Sequence, residues 1–260
     1  MSKKYELTDE EITYNGRKLY RIRASENFAD VKKGDLGGYV EDYNNLSQKN
    51  NCWIYNDAKI YGNAVVCDNA KVYDNAKVYD NAVISDDAEV FDYAQIYDNA
   101  KVLNNAAVFD YAQIYGNAQV FGNAEISNNV KVFDSAVVFD YAQVYDYAIV
   151  YGNAEIFCNA KISGNAIVNK SYKITGKVID KFDDILEIRN PEGRLVTAIL
   201  RNGEIFYNVG CQNEITEEIF KNRIENENGG IEKNPHRKYY YRIINMVNYC
   251  FKDKIKISNN

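Results

Sequence analysis

The most regular feature of this sequence is a six-residue rhythm of small and branched apolar side chains. Alanine recurs at every sixth position from Ala58 to Ala166, with only Val130 interrupting the series, and Val or Ile stands two places after each of these residues. A helix would spread a period of six around its circumference, whereas short strands joined by turns can direct all of these residues to one inner surface. The pattern therefore predicts one short strand and one corner per hexad.

The polar residues between the apolar ones are typical of corners. Asp-Asn, Gly-Asn and Asp-Tyr pairs recur there, and Asp, Asn and Gly tolerate the tight or left-handed backbone that a corner needs. In a narrow solenoid the small alanine fits near the corner, while the β-branched residue fills the interior. Burial of each Val or Ile contributes roughly 1.5 to 3 kcal/mol, so a stack of hexads can offset an ordering cost that one hexad cannot.

This spacing resembles the hexapeptide-repeat, or left-handed parallel β-helix, family, in which an aliphatic residue is followed four places later by a small one. Val72 with Ala76 and Val78 with Ala82 have that spacing. The resemblance implies an all-β solenoid, a three-sided parallel β-helix with three hexads per coil and a left-handed path. The chain departs from the family in one respect, because Tyr or Phe usually follows the aliphatic residue where the family often has Gly or a small residue.

A coil of eighteen residues would place side chains eighteen positions apart above one another, at a spacing of about 4.8 Å. Two columns of this kind are candidate partner-binding residues, because tyrosine beside carboxylate gives a large contact area at low entropic cost. The alternatives are that the aspartates serve only to form turns and that the rings serve only to pack the stacked strands. The first column contains Tyr61, Tyr79, Tyr97, Tyr115, Phe133 and Tyr151. The second contains Asp74, Asp92, Asp110, Asn128 and Asp146, with Tyr93, Tyr111 and Tyr147 one residue further along the same corner.

Both flanks of the repeat are predicted to be caps, since an open solenoid end exposes unpaired strand edges. Residues 1–51 are predicted to form an N-terminal β-hairpin cap around an Asn-Gly turn, with Val40, Leu46 and Cys52 already in the six-residue register of the alanines. The solenoid is predicted for residues 52–171. Residues 172–260 are predicted to form an α+β domain, with a three-stranded meander in DDILEIRN, RLVTAILRN and GEIFYNVG and helices in ITEEIFKNRIENE and HRKYYYRIINMVNYCF.

The order of these segments carries a second resemblance. The run YRIRASENFADVKKGDLGGYVEDYNNLS, then NCWIY, then the hexads, resembles a group of little-characterised bacterial and bacteriophage proteins labelled acyltransferases or polymer-forming proteins. The segment from about Asp184 to Phe251 is similar to a C-terminal domain common in phage proteins of that group. The resemblance implies a shape and carries no established activity.

Charge is spread unevenly over the chain, whose formal net charge is −6. Residues 52–171 contain seven lysines and no arginine against fifteen aspartates and glutamates. Affinity for nucleic acid comes largely from Lys and Arg that neutralise phosphates, so we expect no direct nucleic-acid binding by the solenoid. A regular negative face can instead occupy a protein groove that normally holds nucleic acid.

The sequence supplies little catalytic equipment. Hexapeptide-repeat acyltransferases use a histidine as general base, and related carbonic anhydrases bind zinc through three histidines, whereas His236 is the single histidine here and lies outside the repeat. Cys211 and His236 are a weak candidate pair of nucleophile and base, against the alternative of a buried thiol and a residue near a helix start. The corner aspartates match neither the glycine-rich calcium repeat nor the EF-hand loop. We therefore expect no cofactor and no metal.

The leading interpretation is a non-catalytic interaction protein that presents its acidic, Tyr-rich solenoid face to a protein partner. In a sharper form it is a phage-encoded, anti-CRISPR-like inhibitor of a basic, nucleic-acid-binding host defence enzyme. Two alternatives stay open: a hexapeptide-type acyltransferase with an atypical active site between the rods of a homo-oligomer, and a structural or polymer-forming protein. Short apolar runs and the charged start MSKKYELTDEE predict no membrane segment and a cytoplasmic location.

Overall fold

The computed structural model of the protein describes residues 3–168, 173–175, 178–179, 185–189, 195–201, 203–209, 212–226 and 237–257. The chain divides into two compact units, Met1–Lys177 and Val178–Asn260. The first unit contains the hexads and the second contains the α-helices.

The first unit is a parallel β-solenoid of about 7 turns with three faces, each a sheet with one short strand per coil. Face 1 contains Leu36–Val40, Lys59–Ile60, Lys77–Val78, Gln95–Ile96, Gln113–Ile114, Lys131–Val132, Ile149–Val150 and Ile167–Val168. Face 2 contains Val65–Val66, Val83–Ile84, Lys101–Val102, Gln119–Val120, Val137–Val138, Glu155–Phe157 and Lys173–Thr175. Face 3 contains Trp53–Ile54, Lys71–Val72, Glu89–Val90, Ala107–Val108, Glu125–Ile126, Gln143–Val144 and Lys161–Ile162.

Strands eighteen residues apart pair in parallel, so three hexads make one coil. In face 3, Val90 is in register with both Val72 and Val108. Backbone hydrogen bonds join each coil to the next, as from Lys71 N to Ala88 O at 2.9 Å. The predicted three-sided parallel solenoid is confirmed. Pairing continues past residue 171, where the rhythm of the sequence stops, because Lys173–Thr175 pairs with Glu155–Phe157.

The alanine and Val/Ile positions of the hexads form the core of the solenoid. From Ala58 to Val168 every one of them has 0% exposed surface, including Val130 in the alanine series. The predicted inward placement of both residue types is therefore confirmed. The stacked Val and Ile side chains provide the apolar burial that holds the coils together.

Each coil turns at three corners of two residues. Corner I joins face 3 to face 1 and contains residues 56–57, 74–75, 92–93, 110–111, 128–129, 146–147 and 164–165. Corner II joins face 1 to face 2 and contains residues 62–63, 80–81, 98–99, 116–117, 134–135 and 152–153. Corner III joins face 2 to face 3 and contains residues 50–51, 68–69, 86–87, 104–105, 122–123, 140–141 and 158–159. The first residue of every corner has a φ between 51° and 73°, and all of these residues except Cys158 are Asp, Asn or Gly, which adopt left-handed backbone most readily.

The N-terminal segment forms the predicted hairpin. Strands Tyr5–Tyr14 and Arg17–Ala24 pair antiparallel, and the turn residues Asn15 and Gly16 both have positive φ, as a tight hairpin turn requires. The second strand also pairs antiparallel with Leu36–Val40, so the hairpin extends face 1 and covers its first edge.

The register of the first coil differs from the prediction. Val40 pairs with Ile60, and Leu46 bridges Val66, so both residues take the Val/Ile position of the hexad and not the alanine position that the six-residue rhythm predicts. The reason is a longer corner III in this coil, because Ile54 comes eight positions after Leu46, whereas equivalent residues of successive hexads are six positions apart. The two inserted residues shift the register of everything that precedes them.

The longer corner accommodates a buried lysine. Lys4 is 3% exposed, and its Nζ donates to the carbonyl oxygens of Asn50 at 3.2 Å and Cys52 at 2.9 Å. In this solenoid each coil donates its N–H groups to the carbonyls of the next coil, so the carbonyls of the first coil have no earlier coil to pair with. Lys4 satisfies part of this edge, although burial lowers its pKa. A 3₁₀ helix, Tyr43–Asn45, lies in the same coil.

The second unit begins with the short strand Val178–Ile179 and contains a four-stranded antiparallel sheet. The strands, in sheet order, are Ile185–Arg189, Leu195–Arg201, Glu204–Val209 and Gln212–Thr216, followed by helices Glu217–Asn226 and Lys238–Ile257. The three predicted strands and both predicted helices are confirmed. The first helix starts later than predicted, because Ile215 pairs with Tyr207 in a fourth strand and is buried there.

Candidate partner-binding corner

The predicted acidic column lies on corner I. Asp74, Asp92, Asp110 and Asp146 are first residues of this corner, with φ values of 56°, 58°, 57° and 64°, and all four are half-buried. Asp is among the few non-glycine residues that tolerate left-handed backbone. The shape of the corner therefore favours aspartate at these positions without any partner.

The carboxylates also bond between coils. Asp110 Oδ2 accepts a hydrogen bond from Asn128 N, and Asp146 Oδ2 accepts one from Gly164 N, both at 3.0 Å. Corner II has the same bond, since Asp98 Oδ2 accepts from Gly116 N at 3.0 Å. Each carboxylate thereby satisfies a backbone donor that strand pairing does not use. The aspartate columns consequently contribute to the fold as well as to the surface charge.

The predicted column that begins at Tyr61 is a continuous stack of rings between face 1 and corner II. Successive ring centroids from Tyr61 to Tyr151 are 4.8 to 5.1 Å apart, with planes within 6° of parallel. Tyr61 is 5% exposed, and burial raises the pKa of Tyr97 to about 12. Burial also raises the pKa of Tyr79 and Tyr115. Because the faces of the inner rings contact each other, this column stabilises the stacking of the coils.

The second residue of each corner is most often asparagine, unlike the first. Thirteen of the twenty are asparagine, and stacked asparagines bond along the solenoid, as from Asn63 Nδ2 to Asn81 Oδ1 at 3.0 Å and from Asn81 Nδ2 to Asn99 Oδ1 at 3.2 Å. Tyrosine takes this position four times, and all four are exposed: Tyr93 by 49%, Tyr111 by 57%, Tyr141 by 63% and Tyr147 by 63%. A tyrosine here replaces an asparagine of the amide ladder with an aromatic ring exposed to water, which departs from the pattern of the other corners.

Three of these four tyrosines share corner I with the acidic column. Tyr93 and Tyr111 stack with centroids 5.1 Å apart and planes 5° from parallel, and Tyr147 lies two coils beyond Tyr111. Tyr141 lies on corner III and belongs to neither predicted column. The signal for it is present in the sequence, because Asp-Tyr in place of Asp-Asn marks a tyrosine on the outside of a corner.

The charge of corner I changes along the solenoid. At its first coil, Arg21 of the hairpin donates to the carbonyl oxygen of Asn56 at 3.1 Å and to Asp57 Oδ1 at 3.2 Å, so the charge of Asp57 is compensated. Further along, the exposed Glu125 on face 3 adds to the aspartates, and the exposed Lys131 on face 1 opposes them. The later coils of corner I therefore combine net negative charge with exposed aromatic rings.

The other predicted candidates, Cys211 and His236, lie outside the described residues. Within the described part of the chain, no group of His, Cys, Asp and Glu side chains could hold a metal ion. The helices in that same part are too short or too polar to cross a membrane.

A family model matches part of the solenoid. The model of the YdcK beta solenoid repeat matches residues 112–125, which form one strand of face 1, one of face 2 and the corners beside them. No curated protein matches the chain. Together with the seven stacked turns, the match identifies the chain as a parallel β-solenoid repeat protein.

Proposed function

We propose that this protein is a non-catalytic interaction module that binds a protein partner through the later coils of corner I. The observation that carries the proposal is the exposure of Tyr93, Tyr111 and Tyr147 at a corner position that is asparagine in most other corners. Tyrosines on a rigid scaffold bind with little loss of conformational entropy. The aspartates beside them favour a partner surface that is basic.

The sharper form of the proposal is a phage-encoded inhibitor that occupies the basic groove of a host nucleic-acid-binding defence enzyme. Charge supports this form, since residues 52–171 carry seven lysines and no arginine against fifteen acidic residues. On corner I, Asp74, Asp92 and Asp110 repeat at the coil spacing of about 4.8 Å, and the phosphates of one DNA strand advance by about 3.4 Å each along the helix axis. A groove that binds phosphates can therefore meet a similar line of negative charge.

Affinity capture from a bacterial lysate tests the proposal with three immobilised proteins. These are the wild-type chain, a triple variant with Tyr93→Asn, Tyr111→Asn and Tyr147→Asn, and a control variant with Tyr141→Asn. We expect the wild type and the control to retain the same basic protein, less of it as salt rises, and the triple variant to lose it. Equal retention by the triple variant, or no specific retention by the wild type, would overturn the proposal.

A further inference from the structure

The later coils of corner I contain a gap between two tyrosines. Three successive coils present Asp110 with Tyr111, Asn128 with Asn129, and Asp146 with Tyr147. Backbone hydrogen bonds fix this order, since Tyr111 N donates to Asn128 O at 3.0 Å and Asn129 N donates to Asp146 O at 2.7 Å. The register therefore places the short side chain of Asn129 between two exposed rings.

The width of this gap follows from the spacing of the coils. Tyr93 and Tyr111, one coil apart, have parallel rings with centroids 5.1 Å apart. Tyr147 takes the same corner position two coils beyond Tyr111, so the two ring planes are about 10 Å apart. A cation midway between them would lie about 5 Å from each ring, which is within the roughly 6 Å reach of a cation–π interaction.

Polar groups around the gap suit a cation as well. Asn129 has tyrosines at the same corner position on both neighbouring coils, so it has no asparagine beside it with which to form a ladder, and it is exposed. Asp110 and Asp146 carry negative charge on the coils before and after it, while Asn128 on the middle coil is neutral and donates from Nδ2 to Asp110 Oδ2 at 2.9 Å. A cationic group in the gap would lie between two rings, beside an exposed asparagine and near the negative charge of Asp110 and Asp146.

We infer that this gap, formed by Tyr111, Asn129 and Tyr147, binds an arginine side chain from an extended basic segment of the partner protein. The inference rests on the proposed function and specifies the chemistry of the partner. A guanidinium fits better than an ammonium because it is planar, weakly hydrated and stacks on aromatic faces. A neutral apolar side chain would contact the rings but would leave the nearby carboxylates without a counter-charge.

The test compares two variants that add the same ring to the same corner. Asn129→Tyr fills the gap with a third ring and keeps every charge and every tyrosine, whereas Asn75→Tyr adds a ring beside Tyr93 and leaves the gap open. Binding of a six-arginine peptide is measured by titration calorimetry at low salt, with a six-lysine peptide for comparison. Urea unfolding of each variant checks that the solenoid remains folded.

We expect Asn129→Tyr to weaken binding of the arginine peptide roughly tenfold, since two cation–π contacts are lost, and Asn75→Tyr to bind within twofold of the wild type. Tyr147→Phe keeps the ring and should bind nearly as the wild type does, while Tyr147→Asn should bind several-fold more weakly. Equal binding by Asn129→Tyr and the wild type, or no binding by the wild type, would overturn the inference. The proposed function would stand in either case if the triple tyrosine variant still lost the captured partner.

Discussion

Asp98 allows the structural role of the corner aspartates to be measured away from the proposed partner surface, because it lies on corner II. Its φ is 55°, and its Oδ2 accepts a hydrogen bond from Gly116 N at 3.0 Å. Three substitutions separate these two contributions. Asp98→Asn keeps both the left-handed preference and an acceptor, Asp98→Gly keeps only the backbone preference, and Asp98→Ala keeps neither.

The expected losses of unfolding free energy follow from these differences. Asp98→Asn should change it by no more than about 0.5 kcal/mol. Asp98→Gly loses one hydrogen bond and gains freedom in the unfolded chain, which together cost about 1 to 2 kcal/mol. Asp98→Ala loses the bond and also the short polar side chain that lets Asp tolerate left-handed backbone, at a further cost of roughly 1 kcal/mol, so its total should be about 2 to 3 kcal/mol.

Urea unfolding followed by tryptophan fluorescence measures these differences. Trp53 is the single tryptophan of the chain and is 1% exposed in the first unit, so its emission reports on the solenoid. The predicted order of stability is Asn above Gly above Ala, with an unchanged dependence on urea. If the alanine variant were as stable as the asparagine variant, the corner aspartates would not be explained by backbone geometry and inter-coil bonding.

Four further outcomes are expected. Tyr97→Ala removes two ring stacks with centroids 4.9 Å apart and should lower the unfolding free energy by about 2 to 4 kcal/mol, whereas Tyr97→Phe should change it little. Burial raises the pKa of Tyr97 from about 10 to about 12, so the neutral phenol stabilises the fold fully below pH 10 and this stabilisation is lost as the pH rises towards 12. Phenol ionisation followed by absorbance at 295 nm, together with unfolding followed by Trp53 emission, should show this loss, and the stability of Tyr97→Phe should fall less steeply with pH. Cys158→Gly should stabilise the solenoid by about 1 kcal/mol, since φ is 57° there, and unchanged urea unfolding would contradict this. The pair Asp92→Asn and Asp110→Asn should keep the stability of the wild type but slow association with a basic partner at low salt, as stopped-flow measurements can test.

The solenoid could be predicted from the sequence because its core follows a strictly local period. Every buried Ala and Val/Ile from Ala58 to Val168 repeats at a fixed interval, so the same short strand is specified in every coil. The register of Val40 and Leu46 could not be read in this way. A two-residue insertion before Ile54 shifts them, and the contacts of Lys4 that accompany it come from more than forty residues away in the sequence.

The candidate surface was partly visible in the sequence. A period of eighteen places both tyrosine columns correctly, but spacing alone treats Tyr97 and Tyr111 alike. Their exposure depends on whether each tyrosine precedes or follows the left-handed first residue of its corner. Tyr97 precedes Asp98 and packs in a ring stack, whereas Tyr111 follows Asp110 and is 57% exposed. Similarly, ITEEIFKNRIENE has a helical pattern, but pairing of Ile215 with Tyr207 makes its first two residues part of a strand.

Hydroxyl-radical footprinting of the tyrosines, with and without the protein captured by the wild-type chain, tests the central claim most directly. In the free chain, the exposed rings of corners I and III should be modified readily and Tyr97 slowly. In the complex, the account predicts protection of Tyr93, Tyr111 and Tyr147 with no change at Tyr141. Equal protection of Tyr141, or undiminished modification of the three corner I tyrosines in the complex, would contradict it.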